Sequence, residues 1–126
     1  MSQDMEREFA SREELIAYVR EQFPEAAGDS SVPPTPGGRK AAETALQQVD
    51  PGQYASTRNF LNGAVTRLSP YLRYGVLSLA EVRDAVLEKV RHPEEAVKLV
   101  NELGWRDYWQ RLYADWGKGI WEDREA

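Results

Sequence analysis

Residues 78–116 read SLAEVRDAVLEKVRHPEEAVKLVNELGWRDYWQRLYADW, and this stretch decides the fold class. Ser78 followed three residues later by Glu81 is a capping box, and Val82, Val86 and Val90 recur every four residues. A helix with one apolar face is therefore predicted from Ser78. His92–Pro93 breaks it, and the His is read as a boundary residue rather than a catalytic one. From Glu94 helical spacing resumes and runs to Trp116, ahead of Gly117 and Gly119. Moving toward the N-terminus, Ser69–Pro70 has the N-cap and N1 pairing of a helix start, with a short helix Pro70–Tyr74 ended by Gly75. Arg39–Val49 is alanine-rich and is predicted helical until Asp50–Pro51 stops it. Ser11 with Glu14 opens another helix, whose Leu15, Ile16, Tyr18, Val19 and Phe23 form an apolar face ending before Pro24. Pro24–Gly38 holds four prolines and three glycines and reads as a linker. Alternating strand patterns and internal repeats are absent, so the expected class is all-α. The expected organisation is an acidic leader, 1–36, and a helical region, 37–126.

Composition limits the chemistry. Of 126 residues, 41% are hydrophobic and 29% charged, a globular balance. The chain has no cysteine, which excludes disulfides, cysteine-held zinc, iron–sulfur clusters and thiol catalysis, and its single histidine excludes a multi-histidine metal site. With no run of about 18 apolar residues and a polar N-terminus, a cytoplasmic protein without membrane spans is expected. The net charge of −5 is uneven. Residues 1–36 carry eight acids against three bases, whereas 37–126 carry thirteen of each. Pro51–Ala80 contains Arg58, Arg67 and Arg73 and no acid, and arginine outnumbers lysine twelve to four. Guanidinium groups suit bidentate recognition of phosphate or carboxylate.

Two constellations are candidates for function. Tyr54–Ser69 (YASTRNFLNGAVTRLS) reads as a loop rich in hydroxyls and amides that runs into the helix start at Pro70. Free amides and the helix dipole favour an anion there, with Thr66, Arg67 and Ser69 as donors and Arg58 nearby. The alternative is that Ser69 caps its own helix and the arginines are solvated. On the last helix, the helical period puts Leu99, Glu102, Trp105, Arg106, Trp109, Tyr113 and Trp116 on one face. Two charges among aromatics admit three explanations: a Glu102–Arg106 pair at i,i+4, tryptophans packed between helices with snorkelling charges, or a cleft whose indoles stack on a ring while the charges meet its edges.

Taken together, these residues resemble the helical flavin-binding domain of the photolyase/cryptochrome family. The likeness is carried by Gly37-Gly38 with Ala41–Leu46, by Tyr54 and Arg58-Asn59, by Thr66–Ser78 (TRLSPYLRYGVLS), and by Glu102–Tyr108 (ELGWRDY). It spans residues 37 to about 116. The resemblance implies bound FAD, with Tyr54 and the Val65, Thr66, Arg67, Leu68 and Ser69 segment along its diphosphate and ribityl chain. It further implies a DNA partner: Arg58 on a backbone phosphate, and Glu102, Trp105, Arg106 and Trp109 around a flipped-out pyrimidine lesion. Light-driven electron transfer would then belong to the reduced flavin. Ala64-Val65-Thr66 stands where the family usually has Gly-Thr-Ser, so Val65 lacks a hydroxyl. The resemblance covers the first half of that domain, so the remainder of the flavin domain is itself an expected partner. An exposed half-site would also suit a homo-oligomer. The alternative expectation is a non-enzymatic helical module that binds a protein or nucleic acid through its tryptophan-rich face.

Overall fold

The structure is a computed structural model that describes residues 5–25 and 34–123, all helix, turn and loop with no strand among them. Most of the predicted linker, 26–33, lies outside the described residues. The chain divides into two compact units, Met1–Thr35 and Pro36–Ala126.

The first unit is built around α1, Arg12–Gln22. Ser11 Oγ accepts from the Glu14 amide at 3.1 Å. The returning bond of the predicted capping box is displaced by one residue, because Glu14 Oε2 accepts from Ala10 rather than from Ser11, at 2.7 Å. Phe9 lies against Tyr18 with ring centroids 5.2 Å apart, and the Tyr18 hydroxyl accepts from the Glu6 amide at 3.0 Å. No residue of α1 is buried.

The second unit contains α2, Arg39–Gln47; α3, Pro51–Thr57; α4, Ser69–Arg73; α5, Leu79–Lys89; and α6, Val97–Trp116. Helix α2 stops two residues short of the predicted Val49, where the amides of Gln48 and Val49 turn back to Ala45 and Leu46. Asp50–Pro51 is a start as well as a stop. Asp50 Oδ1 accepts from the Gln53 amide at 3.1 Å and Pro51 takes the first helical position, so Tyr54–Thr57 is helix α3 and not loop. Helix α4 begins a residue earlier than predicted. Leu68 occupies the cap position and Ser69 makes no side-chain capping bond, which corrects the expected role of Ser69. Helix α5 has both halves of its capping box, Ser78 Oγ accepting from Glu81 at 3.1 Å and Glu81 Oε2 accepting from Ser78 at 2.7 Å. The last helical stretch opens with a 3-10 turn, Pro93–Ala96, before α6, and a second 3-10 turn, Gly117–Trp121, follows it.

The core belongs to this unit. Leu68, Leu77, Val82 and Val86 are its largest fully buried side chains, each stabilising the fold by about 1.5–3 kcal/mol. Ala42, Val49, Tyr71, Leu99 and Leu103 complete the cluster. Val82 and Val86, four residues apart on α5, fulfil the predicted face, with Val90 half-buried at the cap. Two polar staples surround the core. Lys89 Nζ donates to the carbonyls of Leu46, Gln47 and Val49 at 2.8, 2.8 and 2.9 Å and so satisfies the end of α2 from α5. Arg39 bonds Glu43, the Val76 carbonyl and Glu81, joining α2 to the start of α5. Among the described residues no helix is long and apolar enough to cross a membrane.

Replacing Lys89 by Met should therefore destabilise the protein by about 1 kcal/mol, read as a lower urea midpoint at unchanged slope. The Arg39 guanidinium, with help from Ser78, holds the Glu81 carboxyl at about 2. A carboxyl depressed on folding adds stability above its unfolded value near 4.3, which is lost as pH falls through the folded value. Acid unfolding should thus have a component between about pH 4 and pH 2 that Glu81→Gln removes, measured by circular dichroism.

Candidate functional site

Helix α6 is 20 residues long, about 30 Å, and only its first half meets the core. Leu99 and Leu103 are buried, while no residue from Gly104 to Trp116 is. The predicted single face is in fact two. Leu99 turns to the core, and Trp105, six residues on, lies about 120° around the helix from it, toward water. Trp105, Trp109 and Tyr113, spaced by four, are 56%, 58% and 55% exposed. Tyr108 meets Trp105 and Trp109 edge-on at centroid distances of 5.7 and 5.2 Å. The tryptophans are therefore not packed between helices. A shallow groove of about 750 Å³, lined by Val100, Asn101, Gly104, Trp105 and Tyr108, runs beside them.

The charges also pair differently from the local expectation. Glu102 is held not by Arg106 but by Lys98 Nζ at 2.8 Å and by Arg58 Nη1 at 3.1 Å, both on Oε1. Arg58 follows directly on α3, so this contact ties the α3 end to α6. Lys98 first, and then the Arg58 charge, hold the Glu102 carboxyl below its usual range against the opposing effect of partial burial. Glu102 is thus an ionised acceptor, with Oε2 outside both ion pairs. Arg106 is half-buried, and its Nε is the one buried side-chain donor without a partner among the described residues.

The segment after Arg58 folds on itself through short bonds. The Thr57 carbonyl accepts from Phe60 at 2.9 Å, that of Phe60 from Gly63 at 3.0 Å, and Thr57 Oγ1 from Ala64 at 2.9 Å. A Cβ at Gly63 would lie 1.7 Å from the Thr57 carbonyl oxygen, so only glycine fits there. Thr66 Oγ1 accepts from the Leu68 amide at 3.3 Å. Arg67 has φ 56°, an uncommon left-handed conformation that turns its side chain to solvent while Leu68 enters the core. Tyr54 is half-buried against the core, Val65 is exposed, and Ser69 is exposed. The amides of Ser69 and Tyr71 have no hydrogen bond among the described residues.

The structure thus joins Arg58 directly to Glu102 and puts Trp105, Arg106 and Trp109 on the same helix. Among the described residues, no hydrogen bond or ion pair links these to Val65–Ser69. Lys98 was missed by the sequence reading, although its i,i+4 spacing to Glu102 carried the signal. In comparisons with known proteins, no family model, no curated protein and no solved structure matches the chain.

All four tryptophans are exposed, so their emission should be red-shifted and readily quenched by acrylamide in the folded protein. A double-mutant cycle on Arg58→Ala and Glu102→Ala in urea should give a coupling of about 0.5–1 kcal/mol, since both side chains are nearly one-third exposed.

Proposed function

We propose that this chain is part of a flavin-binding domain of the photolyase/cryptochrome kind, contributing one wall of an FAD site and an aromatic–charged face that receives a base from DNA. The observation that carries the reading is the state of α6: Trp105 and Trp109 stand half-exposed beside an ionised Glu102 and an unpartnered Arg106 donor. A core-packing helix has no use for such an arrangement, because desolvating an unmatched donor is costly. A planar ligand that stacks on an indole and offers polar edges would use all of it.

The donor set before α4 suits a diphosphate. Thr66 keeps a hydroxyl proton to donate, Ser69 is exposed, and the amides of Ser69 and Tyr71 are open. The exposed Arg67 side chain has no ion pair among the described residues. Val65 contributes no polar group, and α4, with five residues, has only a short dipole, so the side chains carry more of the recognition than the helix end does. Bound flavin would supply the electron-transfer chemistry. The chain's own residues would hold its phosphates, and Arg58, Lys98 and Glu102 would keep a charged acceptor fixed beside Trp105.

A second reading has its own support. The unburied second half of α6 suits a helical module whose tryptophan-rich face docks a protein, or the remainder of a larger domain.

Flavin titration separates the two. On the first reading, a longer form that carries the remainder of the flavin domain shifts the visible absorption of FAD and quenches tryptophan emission saturably, and Arg67→Ala in that form weakens binding by about tenfold at unchanged circular dichroism. A longer form that carries the remainder of the flavin domain and leaves the flavin spectrum unaltered at excess FAD overturns the flavin reading and leaves the docking module.

A further inference from the structure

The second half of α6 leaves a stripe of aromatic side chains in water. At about 100° per residue, Trp109 and Trp116 lie within about 40° of Trp105, with Tyr108 about 60° to one side and Tyr113 about 80° to the other. All five are at least 43% exposed. Half of an aromatic side chain is roughly 100 Å², so the stripe presents about 500 Å² per chain, near the upper end for the largest patch of a monomer. Two such stripes set face to face bury about 1,000 Å² before their rims are counted, which is where specific interfaces begin.

Charge selects the occupant. Arg106 flanks the stripe on the Tyr113 side and Asp115 flanks it on the Tyr108 side, each about 90° from its centre line. The two are equally far along the chain from the midpoint of Trp105–Trp116. Neither has an ion pair among the described residues, whereas Asp107 and Arg111, on the opposite side of the helix, pair with each other at 2.8 Å. A two-fold axis through that midpoint, perpendicular to the helix, brings Asp115 of a second copy to the side and height of Arg106, and the reverse. An antiparallel copy therefore matches aromatic surface with aromatic surface and each unpaired charge with its opposite. A parallel copy would leave the two charges about 14 Å apart along the axis. An unrelated acidic partner would satisfy Arg106 and leave Asp115 facing like charge.

We infer that this chain forms an antiparallel two-fold dimer through the aromatic stripe of α6, with Arg106 of each subunit opposite Asp115 of the partner subunit. The inference rests on the docking-module reading above and names its occupant. The aromatic contact supplies the affinity, and the two charge pairs at the rim set the direction and register of the helices. The shallow groove beside Trp105 and Tyr108 then faces the C-terminal turns of the partner subunit's helix.

The test measures the mass of the full chain by sedimentation equilibrium over about 1–100 µM. The mass should move from 14.4 kDa toward twice that value as concentration rises. The red-shifted tryptophan emission of the single chain should move to shorter wavelength in step with it. The double variant Trp105→Ser/Trp109→Ser should stay monomeric throughout, at unchanged circular dichroism. Arg106→Asp and Asp115→Arg should each weaken the dimer by about tenfold, and mixing the two variants should recover it, because each chain then offers the charge the other lacks. Asp115 is exposed, so its variant reports on the pairing even where Arg106→Asp fails to fold. A wild type that is monomeric at the highest concentration overturns the dimer. A dimer that survives Trp105→Ser/Trp109→Ser overturns the interface, and one that is lost there but unmoved by Asp115→Arg overturns the antiparallel pairing. The flavin titration above judges the docking reading itself, so the dimer and that reading fail separately.

Discussion

Leu68 has no exposed surface, and the second unit is organised by keeping it there. Its side chain sits among Val82 and Val86 of α5 and Leu99 and Leu103 of α6 in one apolar cluster. Seating it requires the chain to turn sharply, and Arg67 absorbs that turn with a left-handed backbone. The same turn directs Arg67 outward and sets the direction of α4. Tyr71, on the next helical turn, is buried in the same cluster, and its hydroxyl donates to the Pro36 carbonyl at 2.8 Å. One apolar residue thus fixes both an interior contact and the exposure of the cation beside it.

The polar staples extend this constraint to the helix ends. Lys89 closes α2 from a position 40 to 43 residues later in the chain, and Arg39 reaches Glu81 across 42 residues. Such bonds add modest stability each, but they leave few carbonyls unsatisfied where short helices meet. A unit built from five helices, three of them with nine residues or fewer, depends on that closure, since helices of this length are marginal in isolation.

Much of the helical framework was legible from local signals. Ser78 with Glu81 announced α5, and the valines every four residues announced its buried face. Local signals also misled where one residue serves two elements: Asp50–Pro51 terminates α2 and starts α3, and the sequence reading took only the first meaning. Ser69 before Pro70 looked like a cap, but the burial of Leu68 pulled the helix start back by one residue. In the candidate site, the Lys98–Glu102 pair was readable from its i,i+4 spacing, while the Arg58–Glu102 pair was not. Glu102 had a neighbour of the right charge at Arg106, yet Arg58, 44 positions earlier, takes it, because tertiary packing brings the end of α3 to α6. Spacing along a helix reports what is adjacent on that helix and is silent about what another element delivers.

Gly104 falls where α6 leaves the core, and a Cβ there would meet open space. Steric need does not explain a glycine in the middle of a 20-residue helix, where it costs about 1 kcal/mol relative to alanine. The helix is least supported by its own propensity at the boundary between its anchored turns and its aromatic turns, so the packing of Leu99 and Leu103 holds the first half while the aromatic half draws no such support from the core.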